Sequence, residues 1–410
     1  MSDYQLFARG SFQVDWEERI DFARLRQERV GKTQRAMREK GIDALILWKD
    51  DNVRYLTSLR AIMLSYRSST QFGVLLTQEE SPVLFASSAE AQRIPEAMPW
   101  IEHLVPIPIM EEPGLVENIV KNELVRYMEE FGVARGRVGL DAHTFTQRQM
   151  YERYLPEAEF LDAESFMYWA RIQKLPDEVK CIQEATAIAD AVVQTALDAV
   201  RAGVREYEVA ADAMATLFRL GGEFAHLASP FVASGEHMSP PTRFPTDKLI
   251  RNGDIVFIDI GAMWNGYFGD VGRATICGGK ASQEQKRVYT AVYEALQAGI
   301  ETMRPGNSNR QATEAFIRAA AKRGLERNFI RLFIGHGIGI SSNEPPYIGE
   351  VMPGASEVTF EPGMVFAVEP LIWVPGIRGG GGVRLEDMVL ITEEGPHIMS
   401  RAPYCEELML

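Results

Sequence analysis

The sequence predicts an α+β protein of two lobes, and three observations carry that expectation. The chain has 410 residues, 46% hydrophobic and 24% charged, the balance of a folded globular protein with more length than one compact core usually holds. Its first 170 residues alternate helix-like and strand-like segments, whereas the remainder gathers long helices and β-rich stretches into blocks. Between them lies PDEVKC, with a proline followed by two acids, the composition of a helix start. The expected division is therefore residues 1–170 and residues 171–410.

In the first lobe, apolar positions recur at helical spacing from Ile20 to Lys40, and IDALILW (Ile42 to Trp48) follows as a short buried strand. NVRYLTS reads as strand-like, with an outward loop after it in SLRAIMLSYRSS, carrying Arg60, Tyr66 and Arg67. FGVLLT and PVLFA read as strands, ENIVKNELVRYMEEF as an amphipathic helix and RVGLDA as another strand. In the second lobe, Pro176 opens a long helix, with Asp177 and Glu178 suiting its positive end. A helix near Glu206 to Leu220 comes next, then a β-rich stretch from Ala228 to Gly278, two helices between Gln283 and Gly324, and a β-rich carboxyl end.

Composition excludes several functions. With 43 Lys and Arg against 57 Asp and Glu the net charge is −14, so a basic face for nucleic acid has no support. No stretch approaches the roughly 18–20 apolar residues that span a bilayer, and the amino-terminal residues do not read as a secretion signal. Cys181, Cys277 and Cys405 are odd in number and far apart, which points away from a disulfide framework or zinc-thiolate site and toward a reducing cytoplasm. No fixed-period repeat is visible, which argues against solenoids and propellers.

The chemistry lies in DIVFIDIGAMWNGYFGDVGRATI. Asn265-Gly266 is the preferred dipeptide for a two-residue type I′ hairpin, so Trp264 should pair with Tyr267 and Asp259 should face Gly272. Asp270, two residues along, then lies on the same face. An ionised carboxylate inside VFIDIGA costs several kcal/mol unless it is paired or bound to a cation. Glu369 in MVFAVEPLIW and Glu386 in VRLEDMVLI repeat the pattern, joined through a glycine-rich turn at Gly379 to Gly382. Between the hairpins, FIGHGIGI leaves His336 uncrowded among Gly335, Gly337 and Gly339. One imidazole with four carboxylates is the ligand set expected for two divalent transition-metal ions, Mn, Fe, Co or Zn.

These segments resemble the pita-bread metallopeptidases and their relatives: methionine aminopeptidase, aminopeptidase P, prolidase and, as non-peptidases, creatinase and the dimethylsulfoniopropionate lyases. VFIDIGA, YFGDVGR, GHGIG, FAVEP and VRLEDMVLIT match the family's five ligand motifs at Asp259, Asp270, His336, Glu369 and Glu386. RIQKLPDEVKCI resembles the entry to the catalytic lobe, and the first lobe resembles the creatinase-type amino-terminal domain. The resemblance places Arg384 in the active site, as in prolidase-like members. It also implies a homodimer in which the amino-terminal lobe reaches over the partner's metal site, with Tyr66 and Arg67 as candidates to hold a carboxylate.

Departures from the family pattern shape the functional expectation. The peptidases carry two peptide-handling histidines at the positions of Thr242 and Asn343 here, and Gly272 stands where many members have Thr or Ser. Asn343 can donate a hydrogen bond but cannot shuttle a proton near neutral pH, so peptidase turnover is expected to be weak. His237, in the loop with Thr242, is a candidate substitute. The dimethylsulfoniopropionate lyases also keep metal ligands without these histidines, but carry a DTD-like motif where this chain has Asp259-Ile260-Gly261; creatinase lacks the metal acids. The first expectation is a metal-dependent hydrolase of a small amide-like or dipeptide-like substrate, with Asn343, Arg384 and Glu369 acting on it. A metal-dependent lyase of a small zwitterion and a non-catalytic binding module are the alternatives.

Overall fold

The computed structural model describes residues 20–60, 71–226, 229–238, 244–350 and 356–410. Tyr66, Arg67 and Thr242 lie outside the described residues. The chain divides into two compact units, Met1–Arg171 and Ile172–Leu410.

The first unit is built on a six-stranded mixed sheet. From one edge its strands run His103–Ile107, Val83–Ser87, Phe72–Thr77, Ala44–Leu47, Arg137–Leu140 and Glu159–Asp162. The expected first helix is Phe22–Lys40, started by the Asp21 side chain, which accepts the Arg24 amide, and stopped by Gly41 in the left-handed conformation. Its buried residues Phe22, Leu25, Arg29, Thr33 and Met37 follow a helical period. The helical segment expected across 117–131 is present as Pro113–Ile119 and Val125–Glu130 joined by a π turn at Val120–Leu124.

One expectation is corrected. NVRYLTS is not a strand but most of the helix Asp50–Thr57. The reason lies about 90 residues along the chain. The buried Asp141 carboxylate accepts the amides of Trp48 (2.7 Å) and Lys49 (3.1 Å) and the Asn52 side chain (2.9 Å), anchoring the helix start. A contact that distant leaves no local mark in the sequence.

The second unit holds four principal helices, Pro176–Ala199, Glu206–Arg219, Gln283–Thr302 and Asn309–Lys322, close to the expected positions. Pro176 does occupy the first turn, and Glu178 reaches back to the Leu175 amide at 2.9 Å. The sheets are antiparallel. One orders Gly272–Ile276, Ile255–Asp259 and Phe231–Ser234; a larger one orders Glu344–Ile348, Gly335–Gly337, Val365–Val368, Asp387–Thr392 and Gly395–Ile398. Two short ribbons, Ala262–Trp264 with Tyr267–Gly269 and Leu371–Trp373 with Gly382–Arg384, extend from them. The core packs Val288, Val292, Leu296 and Phe316 of the helices against Ile255, Phe366, Val368, Val383 and Val389 of the strands. No helix among the described residues is long and apolar enough to cross a membrane.

Candidate metal centre

The hairpin forms in the expected register. Asn265 (φ 45°) and Gly266 (φ 84°) both take positive φ, as a type I′ turn requires. Trp264 pairs with Tyr267 and Asp259 with Gly272. The ribbon does not stay in one sheet. It breaks after Asp259 and again at Asp270-Val271, so both acids sit where the chain passes from one sheet to the next. The second acidic ribbon does the same. Glu369 falls between Val365–Val368 and Leu371–Trp373, and Glu386 between Gly382–Arg384 and Asp387–Thr392. Pairing of Val368 with Asp387 and of Leu371 with Arg384 puts Glu369 and Glu386 opposite each other.

Two contacts join the ribbons. The Glu386 amide donates to the Gly272 carbonyl at 2.9 Å. A Cβ on Gly272 would stand 2.8 Å from Glu386 Oε2, so in this chain the Glu386 side chain lies directly over a bare backbone. Behind the acids, Arg273 donates to the Asp387 carboxylate (2.9 Å) and the Glu386 carbonyl (2.6 Å), with all three residues buried. The Arg273–Asp387 pair therefore clamps the backbone on which Gly272 and Glu386 sit.

The larger sheet supplies the histidine. His336 is the middle residue of Gly335–Gly337 and pairs with Ala367 and Tyr347. Its Nδ1 lies 2.9 Å from the Gly337 carbonyl oxygen. That oxygen only accepts, so Nδ1 carries the hydrogen and Nε2 keeps its lone pair. Nε2 faces Glu369 Oε1 at 3.3 Å and Asp270 Oδ2 at 4.0 Å, in the form a metal ligand needs. Lys174, in the segment entering this unit, forms a buried 2.7 Å ion pair with Glu344, whose strand flanks that of His336.

All five expected ligands thus converge, and each is at most 2% exposed. Arg384 joins them: its guanidinium lies 3.1 Å from Asp259 Oδ2 and 4.0 Å from Glu386 Oε2, and is paired with Glu369. Four carboxylates around one guanidinium leave the cluster short of positive charge. Burial, then the neighbouring Asp259, pushes the Asp270 carboxyl well above the usual carboxylate range; burial, then Asp270 and Asp259, does the same to Glu386. Burial opposes the charge on Arg384, but Asp259, Glu386 and Asp270 hold its pKa up. Both oxygens of Asp259, both of Glu386 and Asp270 Oδ1 are buried without a hydrogen bond. Buried, unbonded, mutually repelling carboxylate oxygens beside an imidazole lone pair fit divalent cations.

The sequence reading missed His226. Its side chain is buried beside Asp259 and Asp270, with Nε2 3.7 Å from Asp259 Oδ1 and Nδ1 3.5 Å from Asp270 Oδ1. Burial pushes its pKa down to about 4, and burial does the same to His336. As a single histidine in EFAHLASPF it carries no periodic signal. Gly261 was the available clue, since a Cβ there would stand 2.7 Å from the His226 ring. His237, by contrast, is committed elsewhere. Its Nδ1 lies 3.1 Å from both oxygens of Glu206, a buried carboxylate that also accepts from Ser234 and Thr246. Asn343 is exposed, one residue before the strand Glu344–Ile348.

Fold and site together define a two-domain, metal-dependent hydrolase. Residues 180–393 match the model of metallopeptidase family M24, and residues 29–173 match the creatinase/prolidase N-terminal domain. The chain belongs to metallopeptidase family M24. It is 28% identical to an Xaa-Pro dipeptidase of Pyrococcus furiosus over 90% of this chain and 96% of that one. To an Xaa-Pro dipeptidase of Pyrococcus horikoshii it is 29% identical over 90% and 95%. Among solved structures it is similar to an Xaa-Pro dipeptidase from Bacillus anthracis, with a TM-score of 0.78, 25% identity and coverage of 92% of this chain and 98% of that chain. The lyase and binding-module alternatives draw no support from these likenesses.

Proposed function

We propose that this chain is a dipeptidase-like hydrolase of short peptides or small amides, with Asp259, Asp270, His336, Glu369 and Glu386 holding two divalent transition-metal ions. The single observation that carries the reading is the buried set of carboxylate oxygens without hydrogen bonds on Asp259, Asp270 and Glu386, the last two grouped with His336. A divalent cation there supplies Lewis-acid activation of an amide carbonyl and of water. The chain's own groups do the rest. Arg384, the cation among the acids, offers a planar fork to a substrate carboxylate. Glu369, between His336 and Arg384, is placed to accept and return a proton. Asn343, exposed at the end of the loop from His336, is assigned to orient the substrate by donating a hydrogen bond.

The names of the Pyrococcus relatives point to Xaa-Pro dipeptides as the first substrates to try. Thr242 and Asn343 in place of two histidines predict turnover lowered by roughly 10²–10⁴ against a peptidase that has them. The decisive experiment is elemental analysis of protein never exposed to chelator, followed by turnover of Xaa-Pro dipeptides and other short amides with added Mn, Fe, Co or Zn. Metal retention with hydrolysis of any of these amides supports the reading; absence of all four metals overturns the ligand assignment, and metal-loaded protein inert on every amide overturns the substrate class. We further assign a homodimer, on the family resemblance, and a cytoplasmic setting, on three free cysteines. Light scattering that gives a monomer mass would remove the first.

A further inference from the structure

Two histidines with buried side chains line the same acid cluster and share Asp270, and a neutral imidazole has only one N–H and one lone pair to give. At His336 the Gly337 carbonyl takes the Nδ1 hydrogen and leaves Nε2 free to ligate. At His226 the neighbour is a donor instead. The Gly261 amide donates to Nδ1 at 2.7 Å, which uses the Nδ1 lone pair and puts the hydrogen on Nε2. That N–H faces Asp259 Oδ1 across 3.7 Å, and Oδ1 is a buried oxygen with no hydrogen bond. The gap is longer than a hydrogen bond, and the other oxygen of the carboxylate lies 3.1 Å from Arg384. The ring is held in place: Phe231 packs edge-on against it at 6.2 Å and 89°, and Gly261 approaches it only because it lacks a Cβ.

We propose that His226 is a positioning residue of the candidate metal centre, locked in the Nε2–H form by the Gly261 amide and set to donate to Asp259 Oδ1, so that it would steady the Asp259 carboxylate as a ligand. It lies outside the set of four carboxylates and one histidine, and it acts through Asp259 rather than as a ligand. The inference rests on the reading of Asp259 as a ligand. Partners of this kind orient a ligating carboxylate, and their loss typically costs about 10–100-fold in metal affinity.

The test uses full-length protein with zinc as the probe. Zinc dissociation constants, measured by competition with a chromophoric chelator, are compared for wild type, His226→Ala, His226→Gln and Asp259→Asn. Nitrogen-15 NMR of histidine-labelled, zinc-loaded wild type reads the ring's tautomer directly. The expected result is His226 in the Nε2–H form with zinc bound, about 10–100-fold weaker zinc binding in His226→Ala, and recovery of most of that loss in His226→Gln, whose amide retains an N–H. Wild-type zinc affinity in a folded His226→Ala, or His226 Nε2 found coordinated to zinc, would overturn the proposal. If His226→Ala does not fold, the wild-type tautomer and the glutamine variant still decide it. Failure of the underlying reading looks different: wild type and Asp259→Asn would then bind zinc equally well.

Discussion

The two acid-bearing ribbons reach the same centre by different constructions. In the first, each aspartate is opposed by a glycine: Asp259 pairs with Gly272, and the Ala262–Gly269 pairing places Gly261 opposite Asp270. In the second, glutamate opposes glutamate. A short acid facing a bare backbone leaves room, and groups from other elements fill it, Glu386 over Gly272 and His226 over Gly261. Two long acids face to face fill their own space. The first ribbon is thus a socket and the second supplies much of what enters it. A histidine from outside the ribbons stands beside each, its ring form set by one backbone group, a carbonyl at His336 and an amide at His226.

The sharpest way to break this comparison is to remove one acid from each ribbon. Asp259→Ala and Glu386→Ala should each lose metal by elemental analysis and lower turnover by more than the roughly 100-fold that losing an outer partner costs. Retained metal in either would show that its ribbon is dispensable. Next in size is the clamp between them. Arg273→Leu leaves Asp387 buried without its cation and should cost about 3–5 kcal/mol in urea unfolding.

The glycines should differ in a set order. At Gly261 a new Cβ meets the Gly269 carbonyl oxygen at 2.7 Å, and that backbone has little room to yield. At Gly272 the 2.8 Å obstacle is the end of the Glu386 side chain. Gly261→Ala should therefore cost about 1–3 kcal/mol in stability and Gly272→Ala less, with its effect falling on zinc affinity instead. Equal losses in the unfolding midpoint would mean that space is not what separates the ribbons.

The smallest expected effect, per pH unit, is on metal affinity. Asp270 and Glu386, one from each ribbon, are held toward their protonated forms. Zinc must displace those protons, so its affinity should fall as pH falls, by about tenfold per pH unit for each proton displaced. The histidines act on stability with a defined sign. Their folded pKa near 4 is below the ordinary 6.5, so between those values the unfolded chain binds more protons. Their contribution is present above 6.5 and is lost as pH falls toward 4. Zinc titrations from pH 5.5 to 7.5 that show no slope would remove the proton competition.

Much of this was legible in the chain. Asn265-Gly266 fixed a register that the structure reproduces, because a type I′ turn leaves two residues no choice of partner. Acids interrupting apolar strands marked the residues that the structure gathers into the candidate metal centre, because a buried carboxylate needs a reason. What local pattern could not carry was contact across the sequence. NVRYLTS is helical because Asp141 holds its start. His226 belongs to the centre because a ribbon 35 residues on offers it an amide. The breaks that place all four acids at sheet crossings were not visible either, since the apolar runs read straight through them.

The clamp also sets a clock on the centre's birth. Arg273 and the Glu386 carbonyl it grips are 113 residues apart in the chain, and at about 5–20 residues per second of synthesis the first waits roughly 6–23 s for the second. For about the first half of that interval Asp259 and Asp270 form half a site, with neither His336 nor Glu386 yet made, and for the rest Glu386 is still missing. A cation arriving early meets two carboxylates and no imidazole from the later sheet, a weak hold from which it can leave. The full set of five candidate ligands therefore exists only once Glu386, the last of them in the chain, has been made.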